Sequence, residues 1–196
     1  MIKTITTPDS WSEVNISQFQ ELSVTDDIFE KIAILTDEDP EELKLMDVAS
    51  FGRLTAALSW VHVLPNEDAR KDVIVIDGIE YGFIDKLSSL SLGEWIDIEN
   101  YLKDPIKNLH KLMAMFYRPL LTTLKDGTRI TEDYDVTQAS NNANTFLTKM
   151  NVSDCYGSLV FFSLIANDCL KTIQAYFQVE ILKNQLKKMS QKENSV

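Results

Sequence analysis

Two imidazoles, His62 and His110, and two thiols, Cys155 and Cys169, are the side chains in this 196-residue chain best suited to nucleophilic or metal chemistry. A nucleophilic centre needs a Ser, Cys or Thr beside a base that a third group orients. His110 lies in Asn108-Leu109-His110-Lys111-Leu112, beside an apolar stripe, and reads as a half-buried helix residue. His62 follows Trp60-Val61 at a helix end, where an imidazole bonds the last carbonyls. The two cysteines sit in a segment that reads as mostly helix. One straight helix would hold them roughly 20 Å apart, too far for a bridge. They are expected to be buried thiols in a reducing compartment.

The carboxylates give no stronger signal. Asp37-Glu38-Asp39 with Glu41-Glu42 lacks the spaced ligands and central Gly of a calcium loop, and reads as a solvated helix start. Asp97 and Glu99 beside Trp95 resemble a sugar-cleaving pair in type, but positions i and i+2 of a helix point apart. No HExxH, CxxC or Gly-rich phosphate loop occurs. The expectation is a non-enzyme with no catalytic residue, no cofactor and no metal.

The charge distribution speaks about partners. Asp and Glu number 30 against 19 Lys and Arg, for a net charge of −11. Residues 1–100 carry seven basic and twenty-one acidic side chains, and residues 101–196 carry twelve and nine. An acidic front half repels nucleic acid and anionic membrane, keeps the chain soluble and suits a basic protein partner. The longest nearly apolar run, LVFFSLIA at 159–166, falls far short of the ~20 residues of a membrane span. The start, MIKTITTPDSW, lacks the pattern of a secretory leader. Neither a nucleic-acid nor a membrane partner is expected.

Helical signals dominate the elements. Ser17 is the expected N-cap of a first helix bearing Phe19 and Leu22. Asp26 and Asp27 precede a second helix lined by Ile28, Ile32 and Leu35, and Pro40 opens a short third through Met46. Val48, Phe51, Leu54, Ala57, Leu58 and Val61 form a helical stripe. Val73 to Phe83, split by Asp77-Gly78, reads as a small β-hairpin that must pack on the helices. Ser91 and Glu94 form a capping-box pattern. A helix from Asp104-Pro105 to Tyr117 carries Leu109, Leu112, Met113 and Phe116, and Arg118-Pro119 stops it. Lys125-Asp126-Gly127-Thr128 marks a turn of a second hairpin. A polar helix spans 137–150, and an apolar, aromatic segment with Tyr156, Phe161, Phe162, Tyr176 and Phe177 reads as core.

A faint internal repeat organises these pieces. Residues 12–22 align without gaps on 88–98, matching Val14 to Leu90, Ile16 to Leu92, Phe19 to Trp95 and Leu22 to Ile98. Residues 46–61 align on 150–165. The expected architecture is mainly α: a single domain, 1–196, with two lobes. A helical bundle of two similar units (12–62 and 88–170) shares one core, with a β-hairpin inserted at 72–84 and a C-terminal helix and tail at 171–196. Met46, Met113, Met115 and Met150 offer adaptable surface where exposed, and core otherwise.

The C-terminal helix is the candidate interaction element. Lys183, Lys187, Lys188 and Lys192 complement a helix C-terminus and are too few for a nucleic-acid stripe. Ile181, Leu182, Leu186 and Met189 give it a narrow apolar edge. The expected partner-binding residues are Ile181, Leu182, Lys183, Leu186, Lys187 and Met189.

Three segments carry a family resemblance: LSLGEWIDIE at 90–99, NLHKLMAMFYRP at 108–119 and LVFFSL at 159–164. Over roughly residues 10–170 their order resembles small helical bacteriophage proteins of the tail assembly chaperone and baseplate hub assembly kind. The resemblance implies a non-catalytic role. Such a protein binds hydrophobic segments of a tail component, for example the tape measure, and keeps them soluble in the host cytoplasm until assembly. The alternative is a structural virion protein of the tail, neck or baseplate, and the second alternative an enzyme of unrecognised type.

Overall fold

A computed structural model describes residues 5–65, 70–84 and 90–164. Chain contacts divide it into two compact units, Met1–Leu159 and Val160–Val196. Within the second unit, residues 160–164 are helical, and the rings of Phe161 and Phe162 meet edge to face at 5.7 Å.

The first unit opens with four short helices: α1 (Ile16–Val24), α2 (Ile28–Thr36), α3 (Pro40–Lys44) and α4 (Val48–Ala57), followed by a 3₁₀ turn at Ser59–His62. Side-chain caps start each helix, because four N–H groups there have no partner within the helix. The α1 cap is Asn15, not the expected Ser17. Asn15 accepts from the Gln18 amide while the Gln18 side chain accepts from the Asn15 amide. Sequence alone favoured Ser17 because Asn15 lies in the alternating lead-in. Asp27, Asp39 and Asp47 cap the next three helices, and Pro40 occupies the first turn of α3. The expected short helix through Met46 ends at Lys44.

The expected hairpin forms, as β1 (Val73–Ile76) and β2 (Ile79–Phe83). Asp77 and Gly78 both take positive φ, 53° and 78°, which fits a primed two-residue turn whose twist matches the strands. The hairpin is not a small isolated insert, however. β3 (Tyr117–Thr123) and β4 (Arg129–Thr131) extend it into a four-stranded antiparallel sheet in chain order. Gly82 permits this closure. A Cβ there would lie 3.0 Å from Thr131 Cγ2 and 3.1 Å from Leu120 Cδ1.

Two further helices frame the core, α5 (Leu92–Tyr101) and α6 (Leu109–Phe116), and α7 (Val136–Lys149) follows the sheet. A helical run at 152–159 closes the unit. The expected helix from Asp104-Pro105 is shorter than its pattern suggested. Asn108 Nδ2 donates to the Tyr101 and Asp104 carbonyls, so turns occupy the stretch before Leu109. Beyond Phe116 the chain passes directly into β3. Pro119 disfavours helix at Arg118 but tolerates extension. It pairs with Tyr81 as the last β2–β3 partner, where its missing N–H interrupts little of the ladder.

The core centres on α6. Leu109, Leu112, Met113, Ala114, Met115, Phe116 and Tyr117 are all buried, which requires neighbours on every side. α7 packs most closely on α6, and α5 packs on it too. Tyr81 of the sheet meets Phe146 of α7 edge to face at 4.9 Å. The Tyr117 hydroxyl donates to the Lys71 carbonyl at 2.7 Å and meets Ser158 Oγ at 2.8 Å. Met113, Met115 and Met150 belong to this core rather than to a surface.

The two aligned segments share their caps and differ in their faces. Ser91 and Glu94 form a capping box at the positions aligned with Asn15 and Gln18. Asn151 accepts from the Asp154 amide at the position aligned with Asp47. Yet Ile16 is buried where Leu92 is exposed, and Val152 is buried where Val48 is exposed.

Glu94 does more than cap. It also pairs with Arg118 of β3, with side chains only 6 % and 12 % exposed. Burial raises the Glu94 carboxyl pKa, but the Ser91 hydrogen bonds and the Arg118 charge outweigh it and hold the pKa below the usual value. Arg118 Nε is buried without an acceptor, and its guanidinium lies 5.4 Å from the Tyr134 ring. Removing one charge strands the other. Glu94→Gln is therefore expected to cost about 3 kcal/mol in urea unfolding, and replacing both residues by Met to recover most of it. A single-variant loss below about 0.5 kcal/mol would show that the pair is solvated.

Candidate partner-binding groove

A predominantly apolar groove lies between α1, α2, α4 and the 3₁₀ turn. A cavity of about 310 Å³ opens there. From α1 come Phe19 and Leu22, and from α2 Ile28, Ile32 and Leu35. Leu58, Val61 and Leu64 form the far wall. Trp11 closes one end, held in place by its indole N–H, which donates to the Val63 carbonyl at 2.7 Å. Its ring meets Phe19 and Trp60 edge to face, at 5.5 and 5.2 Å. Trp60 Nε1 in turn donates to the Pro8 carbonyl at 3.0 Å.

This groove is apolar yet incompletely covered. Ile28 is 49 % exposed and Leu64 63 %. Val24 at the end of α1, Val48 at the start of α4 and Val63 after the 3₁₀ turn are exposed as well. The stripe expected along residues 48–61 is thus split: Leu54 and Leu58 are buried, while Val48 and Ala57 face outward.

The sequence-predicted partner residues Ile181, Leu182, Lys183, Leu186, Lys187 and Met189 lie outside the described residues, as do Cys169, Tyr176, Phe177, Lys188 and Lys192. Cys155 is buried beside the Val152 carbonyl, and burial pushes its thiol pKa up. Its thiolate, the reactive form, is correspondingly disfavoured.

The two imidazoles stand apart. His62 is exposed at the end of the 3₁₀ turn and lines the groove. His110 is half-buried on α6 and lines a different cleft, of about 280 Å³, with Asp97, Tyr101, Tyr134 and Ser140. There Tyr134 donates to Asp97 at 3.4 Å, and its hydroxyl pKa is pushed up to about 12 by burial and by Asp97. Asp97 and Glu99 diverge as helix geometry requires: Asp97 turns to Tyr134 and Glu99 to solvent. Among the described residues, no carboxylate or hydroxyl lies within hydrogen-bond distance of His110. Its Nδ1 instead lies 3.1 Å from Gln20 Nε2, which donates to the Ile106 and Lys107 carbonyls.

Among the described residues, no group of three or more His, Cys, Asp or Glu side chains could hold a metal ion. Among them also, no helix is long and apolar enough to cross a membrane. Compared with protein-family models, curated proteins and solved structures, the chain matches none.

The His110 contact has a pH signature. Burial, then the Lys111 charge, lowers the imidazole pKa below its usual 6.5. The unfolded chain therefore binds more protons between the two values. Stability from the neutral ring is complete above the unfolded value and is lost as pH falls through the folded one. The thermal midpoint of the wild type is expected to fall more than that of His110→Gln between about pH 7.5 and about pH 5.5. Equal falls would show that the ring titrates freely.

Proposed function

We propose that this chain is a non-catalytic assembly protein that holds an apolar helical segment of a phage tail component, such as the tape measure, in the groove between α1, α2 and α4. The observation that carries this reading is the groove itself: an open apolar trough walled by short helices, with Ile28 49 % and Leu64 63 % exposed. Helix-in-groove recognition needs such a trough and i, i+3, i+4 anchors on the partner. The many acidic side chains of residues 1–100 would keep the loaded protein soluble and favour a partner that is basic around its apolar stripe. The resemblance of residues 10–170 to tail assembly chaperones points the same way, with action in the host cytoplasm before the particle closes.

Affinity capture from infected cells tests the proposal, with purified particles analysed in parallel by mass spectrometry. The tagged wild type is expected to retain a tail component, the tape measure first, and to be absent from particles. Ile28→Asp and Leu64→Asp alter exposed positions and are expected to reduce capture about tenfold or more while leaving the fold intact. Presence in particles would favour the structural virion role. Capture that is unaffected by either substitution would exclude the groove.

A further inference from the structure

The charge inside the groove is opposite in sign to the net charge of the first hundred residues. Residues 1–100 hold twenty-one acidic side chains against seven basic, yet among the described residues no Asp or Glu lines the groove. Among the described residues, the ionisable side chains that do line it are Lys31 and His62, both cationic when charged. Lys31 sits on α2 between Ile28 and Leu35, on the face that forms the wall. Its nearest acids in sequence are already engaged. Asp27 accepts from the Phe29 and Glu30 amides as the α2 cap, and Glu30 accepts from the Thr25 hydroxyl. Among the described residues, no carboxylate lies within ion-pair distance of the Lys31 ammonium. A lysine flanked by two acids and paired with neither, at the edge of an apolar trough, leaves a cation for whatever fills that trough.

Resting on the groove reading above, we infer that the occupant is a partner helix carrying a carboxylate beside its apolar anchors, and that Lys31 receives it. An apolar stripe alone fits any greasy helix. A single charge aimed at Lys31 selects register and partner, because a helix presenting Lys at that place would meet like charge. His62, at the opposite wall, adds a second donor to the same carboxylate-bearing face.

Two helical peptides of about 16 residues, long enough to sustain a helix, provide the probe. Both are built from Leu, Ala and Lys with one leucine stripe, and they differ only in a Glu or a Gln beside that stripe. The intact chain is expected to bind the Glu peptide about 3–5-fold more tightly at low salt. Lys31→Gln should abolish the preference and Lys31→Arg should keep it, with helix content by circular dichroism unchanged in both. Equal binding of the two peptides by the wild type, lost in Ile28→Asp, would overturn the inference and leave the groove standing. A preference that survives Lys31→Gln would also overturn it. Binding of neither peptide would overturn both.

Discussion

Six consecutive residues, 112–117, are almost wholly removed from water while the backbone changes from helix to strand beneath them. A covered Leu, Met or Phe side chain contributes about 1.5–3 kcal/mol, and none of these can be covered by its own segment. A helix with six of its eight residues buried needs partners on several sides, and α5, α7 and the sheet supply them. The Tyr117 hydroxyl is carried inside with the rest and finds the Lys71 carbonyl and Ser158. The next residue, Arg118, is drawn to the edge of the core, where Glu94 meets it. The start of α5, the exit of α6 and the middle of the sheet are thereby tied to one another.

The front helices answer to a weaker constraint. α1 reaches the core through a short backbone pairing: Ile16 N–H donates to the Met150 carbonyl, and Val152 N–H to the Val14 carbonyl. Gln20 adds a polar tie to the turn before α6. Beyond α1, helices α2 to α4 cover one another only in part, and the apolar surface left over is the groove. The same economy of short, capped helices yields both a foldable front half and an apolar surface that stays partly exposed. The chemistry-bearing groups follow the same division. His110 and Cys155 are absorbed by packing, and Lys31 is left at the groove.

Much of the fold is legible in local signals. The Asp77-Gly78 turn, the Ser91–Glu94 box, Asp27 before α2 and Pro40 in α3 each act through a few neighbouring atoms, and local rules capture them. The four-stranded sheet was half hidden. Pro119 inside Tyr117–Thr123 argues against a strand unless the pairing ends there, and that ending depends on β2 and β4, distant in sequence. Gly82 reads as a lone glycine until Thr131 and Leu120 are seen against it. The groove was hidden for another reason. A helical stripe such as Val48 to Val61 announces an apolar face but not how much of that face its neighbours cover. Exposure is decided by helix length and crossing, which no single segment encodes.

The central claim is that the groove between α1, α2 and α4 gains its occupant by burying apolar surface. Calorimetric titration of the intact chain with a leucine-striped helical peptide at several temperatures measures this directly, because apolar burial gives a negative heat-capacity change. A clearly negative value that collapses in Ile28→Asp is the predicted result. A value near zero, or one indifferent to Ile28, would contradict the account.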